Sequence, residues 1–268
     1  VKTIELGGTE KTKAEKEERQ ERSLIAAINS VEGIKTLEGN NKTKITNIIK
    51  AEKQPDPTDS EAYADIKLTR KGEDPYLLSA KGLATPSIGG GGLLGMTKMG
   101  PEVEQLVIEF YEDAYTHYKN AFDEQEEIDY NTNLQGKLGR DLGYGDVSRE
   151  IPSDLILTIL RGTVAMGGPV DGYYIGPMEV DYEVKGNNII TNGDILSIED
   201  FAKKHVKIYM HIIKRGGPYY FAGEDDLQTP KGSNITLPRI FTTKPGGIDK
   251  GGAQASFKIG ISPRGVTI

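Results

Sequence analysis

The chain has 268 residues, enough to bury a real core as one large domain or two modest ones, and it carries a net charge of −7. It contains no cysteine, which excludes a disulfide framework, a thiolate metal site and a cysteine nucleophile. No apolar run is long enough to span a membrane and no secretory signal is read, so no membrane partner is expected. Val1 rather than Met stands first, as in a trimmed or processed chain. The charge is unevenly spread. Residues 201–268 carry 11 Lys and Arg against 4 Asp and Glu, whereas residues 1–200 carry 22 against 36. A basic C-terminal quarter fits an electrostatic footprint for phosphate, and it fits an ordinary solvated surface equally well.

In chain order, Val1 to Glu18 is polar and reads as a tail running into a helix over Glu15 to Val31. Leu24, Ile25, Ile28 and Val31 form its apolar stripe, and Glu21 sits on the edge of that stripe. A charge at a buried edge needs a partner or a role. Gly33 ends the helix. Ile34 to Leu37 and Lys44 to Ile49 read as strands, and Gln54 to Ser60 as a turn-rich connector.

Glu61 to Gly95 is the most informative stretch. Ala64, Ile66 and Leu68 alternate with Asp65, Lys67 and Thr69, a strand pattern. Lys71-Gly72-Glu73-Asp74 reads as a turn, with a return strand from Tyr76 to Gly82. A turn centred near Glu73 sets Asp65 roughly opposite Lys81, a carboxylate facing an ammonium across two paired strands. A carboxylate can hold Mg²⁺ and a lysine beside it can orient or activate water.

Asp65 followed by Ser79-Ala80-Lys81 resembles the active-site hairpin of the PD-(D/E)XK nuclease superfamily. The local pattern, ADIKL, then LLSAKG, then a Gly-rich loop, is most similar to endonucleases of that superfamily encoded by tailed phages. The resemblance runs over about residues 15 to 125, and weakly near 173 to 215. It implies Asp65 as a Mg²⁺ ligand, Lys81 as the group that positions or activates water, and Glu21 on the first helix as a second metal ligand. Glu21 is otherwise a solvated or salt-bridged rim residue. Ser79 stands where the superfamily has Asp or Glu, and would hold metal through water. A second alignment uses Pro55-Asp56 with Asp65-Ile66-Lys67; Asp65 belongs to both.

Ala84 to Gly100 reads as a glycine-heavy loop, and no Gly-Lys-Ser/Thr follows Gly89 to Gly92, which excludes a P-loop. Pro101 to Phe122 reads as a helix with Val103, Leu106, Val107, Phe110, Ala114 and Tyr118 on one face. Asp123 to Val147 reads as an irregular linker. Ser153 to Arg161 fits a helix, Tyr173 to Ile175 a strand, and Met178 to Tyr182 pairs with Ile189 to Thr191 around a turn. A capped helix follows at Ser197 to His205, and then a strand at Val206 to Lys214. On that strand Lys207, Tyr209 and His211 share a face that suits nucleic acid or a half-exposed sheet. Lys207, Lys214 and Arg215 are the candidate DNA contacts. Gly216 to Asn234 reads as loop, and Ser256 to Ile261 as a last strand.

The three histidines have no HExxH spacing, no GxSxG occurs, and the Rossmann spacing GxGxxG is absent in a strand-to-helix context. The expected fold is α/β or α+β: a restriction-endonuclease-like core of a mixed sheet flanked by helices over 1–130, with a Gly-rich C-terminal region over 131–268. That region is partly strand and loop, and either stands alone or completes the same domain. The expected function is Mg²⁺-dependent DNA endonuclease. The alternative is a non-catalytic phage structural or DNA-associated protein that keeps the nuclease-like fold. Either would work in the host cytoplasm or the virion, and the oligomeric state is left open.

Overall fold

A computed structural model describes residues 2–3, 13–57, 61–83, 88–89, 98–123, 148–204, 208–215, 220–221, 227–228, 236–238, 241–242 and 256–263. The chain is α+β, and its contacts divide it into two units. The first is built from Val1–Ser87 and Ile156–Val206, the second from Ile88–Leu155 and Lys207–Arg264.

The first unit holds a nine-stranded mixed sheet. Its strands are β1 (Lys2–Thr3), β2 (Lys35–Glu38), β3 (Lys44–Lys53), β4 (Ile66–Arg70), β5 (Glu73–Gly82), β8 (Gly172–Gly176), β9 (Asp181–Lys185), β10 (Asn188–Thr191) and β11 (Asp194–Ser197). The order across the sheet is β1-β9-β10-β2-β3-β4-β5-β8-β11. Strands β3, β4 and β5 form an antiparallel meander, β8 joins β5 in parallel, and β11 closes that edge antiparallel. Between β5 and β8 in sequence comes helix α3 (Ser153–Arg161).

Helix α1 (Lys13–Asn29) covers one face of this sheet. Leu24, Ala27 and Ile28 recur at helical spacing and are fully buried against Ile48, Ile66, Leu68, Leu78 and Tyr174. Burying each Leu or Ile side chain contributes about 1.5–3 kcal/mol. Strand alternation sends neighbouring tyrosines to opposite faces. Tyr174 joins the α1 core, while Tyr173 packs on Phe201 of α4 (Ile198–Lys204), ring centroids 4.6 Å apart. Ser197 Oγ accepts the Asp200 amide at 3.0 Å and so caps α4, as its sequence position predicts.

The hairpin is tighter than the sequence spacing predicts. Arg70 pairs with Glu73 across Lys71-Gly72, and Gly72 takes φ 74, a left-handed conformation that glycine adopts without strain. Ile66 therefore faces Leu78, which carries Asp65 to Ser79 rather than to Lys81. The return strand also starts earlier, at Glu73. The second hairpin is shifted too: β9 begins at Asp181 and turns over Gly186-Asn187 into β10.

The second unit contains α2 (Pro101–Asp123), whose Val103, Leu106, Val107, Phe110 and Ala114 are buried. Its four-stranded sheet has the order β6 (Ile88–Gly89), β17 (Ser256–Pro263), β12 (Ile208–Arg215) and β7 (Ser148–Glu150). Arg149 binds Glu109 at 3.0 Å and Asp113 at 2.7 Å, one helical turn apart on α2. Two stretches expected to be loop supply short strands. Ile88–Gly89 pairs with β17, and β13 (Tyr220–Phe221) and β14 (Leu227–Gln228) pair with β16 (Phe241–Thr242) and β15 (Leu237–Pro238). Of the expected linker Asp123 to Val147, Asp123 ends α2 and the rest lies outside the described residues, as do His205 and the side chain of Tyr118. Among the described residues no helix is long and apolar enough to cross a membrane.

Candidate active site

The site is built on β5. Residues two apart on a strand share a face, so Ser79 and Lys81 project to one side, and the Ile66–Leu78 register brings Asp65 to that side as well. Asp65 Oδ2 accepts the Ser79 hydroxyl at 2.7 Å and the Ala80 amide at 2.6 Å. The Lys81 Nζ stands 3.8 Å from the same oxygen. Oδ2 is thus saturated, whereas Oδ1 has no hydrogen bond among the described residues. Ser79 is buried, and Asp65 and Lys81 are each about one-fifth exposed, at 19% and 21% of their side chains.

Glu21 enters from α1 and is half-buried. Burial raises its carboxyl to about pKa 7, helped by the negative charge of Asp65 and opposed by Lys53 and Lys81. Two carboxyl groups and two ammonium groups therefore share one electrostatic neighbourhood. Lys53, at the end of β3, faces Ile66 and so flanks Asp65 on the other side from Ser79. Its position at a strand end gave no signal in the sequence.

Gln20, the residue before Glu21, also lies at the site. Gln20 is 1% exposed, and its amide nitrogen donates to the carbonyls of Lys81 at 3.3 Å, Gly176 at 2.9 Å and Pro177 at 2.9 Å. The signal was present. Gln20 lies four residues before Leu24 and seven before Ala27, on the buried stripe itself.

Behind the site, the Tyr63 hydroxyl donates to Ile159 O at 2.5 Å and the Tyr173 hydroxyl to Leu160 O at 2.7 Å. These bonds satisfy carbonyls at the C-terminal end of α3, which have no partner within the helix. The structure thus brings Asp65, Ser79 and Lys81 into direct contact and sets Glu21 within reach of their charges. Asp56, the aspartate of the second alignment, spends Oδ1 on the Ala62 amide at 3.0 Å inside its own connector. Lys214 and Arg215 end β12 in the second unit, their side chains outside the described set, and Lys207 lies outside the described residues.

A hard divalent cation of the Mg²⁺ type is held by one or two carboxylates and keeps several waters. Asp65 Oδ1 and the Glu21 carboxyl are the oxygens available. Among the described residues no three His, Asp or Glu side chains converge as a metal centre. No protein-family model, no curated protein and no solved structure matches the chain.

Proposed function

We propose that the chain is a Mg²⁺-dependent endonuclease that hydrolyses phosphodiester bonds in DNA. The observation that carries this reading is the Asp65–Lys81 contact on one sheet face, whose charges are felt by the Glu21 carboxyl on α1. The order of helix, strands, helix and further strand in a mixed sheet is in keeping with the core that the PD-(D/E)XK resemblance implies. Asp65 and Glu21 would hold the ion. When bound, it neutralises phosphate charge and supplies an acidified water. Lys81 would orient the attacking water, its own charge balanced by Asp65 3.8 Å away. Ser79 fixes the Asp65 carboxylate through its hydroxyl, so that one oxygen is held and the other is presented.

The alternative is a non-catalytic phage structural or DNA-associated protein, and one observation favours it. Ser79 gives the site a hydrogen bond and no further anionic oxygen. Digestion of plasmid and single-stranded DNA with Mg²⁺ or Mn²⁺ separates the two. Cleavage by wild type that Asp65→Asn abolishes supports the nuclease. No cleavage with either metal on either substrate supports the alternative, and undiminished cleavage by Asp65→Asn moves the active site elsewhere.

A further inference from the structure

The Gln20 side chain ties together three segments remote in sequence. Its amide nitrogen has two hydrogens and faces three carbonyl oxygens, from Lys81 at 3.3 Å, Gly176 at 2.9 Å and Pro177 at 2.9 Å. Only the nitrogen end of the amide can face carbonyls, so the orientation of the group is decided by its partners. These carbonyls lie at the C-terminal ends of β5 and β8, parallel neighbours in which Lys81 pairs with Ile175 and Gly82 with Gly176. Arg19, the preceding residue, reaches Glu179 just beyond β8 at 4.0 Å. The buried half of α1 is thus anchored at the strand ends by a side chain adjacent to Glu21, and one of its partners is the backbone of Lys81 itself.

We propose that Gln20 is a positioning residue of the Asp65–Lys81 site. By binding the Lys81, Gly176 and Pro177 carbonyls it holds α1 where the Glu21 carboxyl comes under the charge of Asp65. The inference rests on the proposed metal-dependent reading for its consequence at the site, and on hydrogen bonds alone for the anchoring. Apolar packing of Leu24, Ala27 and Ile28 resists separation of α1 from the sheet, but it is non-directional and sets the position along the sheet only loosely. Hydrogen bonds to three defined carbonyls are directional and set that position closely.

Two variants test this. Gln20→Met keeps the length of the side chain and removes the donors; Gln20→Lys restores donors, since an ammonium carries three. The chain has no cysteine, so spin labels on cysteines placed at the exposed Glu18 and Lys71 report the distance from α1 to the β4–β5 turn without metal or DNA. The expected result is one narrow distance distribution in the Gln20 protein, a broadened or shifted one in Gln20→Met, and recovery in Gln20→Lys. Mn²⁺ affinity, read from water-proton relaxation, should weaken about tenfold or more in Gln20→Met, the usual scale for losing a group that orients a ligand. It should recover in Gln20→Lys and weaken no further when Glu21→Gln is added to Gln20→Met. An unchanged distance distribution in Gln20→Met overturns the proposal, as does unchanged Mn²⁺ affinity in a variant that has merely lost thermal stability. If Gln20→Met does not fold, Gln20→Asn, one methylene too short to keep all three bonds, takes its place with the same expectations. A wild type that binds no Mn²⁺ sinks the metal reading and the role of Gln20 at that site. The distance measurement still decides the anchoring.

Discussion

The Ser79 hydroxyl donates to Asp65 Oδ2 at 2.7 Å from a buried position on β5. With the Ala80 amide at 2.6 Å on the same oxygen, Asp65 serves the fold as well as any chemistry. This dual role governs how the site is to be tested.

Asp65→Ala leaves the buried Ser79 hydroxyl and the Ala80 amide without their acceptor, at about 1–3 kcal/mol for each unsatisfied group. Asp65→Asn keeps an acceptor oxygen and removes only the charge. The alanine variant should therefore lose thermal stability clearly, the asparagine variant little, and neither should cleave DNA. Calorimetry beside a plasmid digest checks both. Equal stability of the two variants would mean that Asp65 does not hold the hairpin.

Lys81→Met should affect chemistry more than binding. An ammonium that orients water contributes on the order of 10²–10⁴-fold to rate. As one phosphate contact among several it changes the slope of log affinity against log salt by only about 0.9. Single-turnover cleavage and fluorescence anisotropy across a salt series separate the two effects. A loss confined to affinity would make Lys81 a DNA anchor only.

Glu21 makes the metal-free protein sensitive to pH. Burial, then the Asp65 charge, raises its carboxyl to about pKa 7, above the ordinary carboxylate value of the unfolded chain. Between those two values the folded state binds the proton more tightly, so stability falls as pH rises through the window and levels off above about 7. Glu21→Gln removes that slope and should stabilise the metal-free protein at pH 8 while changing little at pH 4.5. Urea unfolding in EDTA at the two pH values measures this; a parallel shift at both would place the effect outside Glu21 ionisation.

Gly162 bears on the support behind the site. It takes φ 65, and a Cβ there would run into the ring of Tyr63. Gly162→Ala should destabilise by roughly 1–3 kcal/mol from overpacking, with backbone strain in addition. It should also weaken the Tyr63–Ile159 hydrogen bond and lower the melting temperature. An unchanged melting temperature would show that the Tyr63 ring moves aside without cost.

Local chemistry determined a good deal. The helical spacing of Leu24 and Ile28 was enough to locate α1, and Ser197 was enough to start α4. Alternation placed Asp65 and Lys81 on one side of the hairpin although the expected register was two residues off. Side chains on a strand repeat every two residues, so an error of two leaves every residue on its face. Tertiary structure alone decided the rest. The pairing of β5 with β8 joins Ser79 to Tyr173 across more than ninety residues, and β10 joins β2 across a longer span still, Asn188 to Thr36. Such pairings depend on which edges remain free after the local hairpins form, and no short stretch of sequence records that. Glu21 shows the same division: the helix period put it at the rim of a buried stripe, but the nearness of Asp65 exists only once α1 is seated on the sheet. For Gln20 the helix period marks a buried position, but its partners, the carbonyls of Lys81, Gly176 and Pro177, are brought together only by the pairing of β5 with β8.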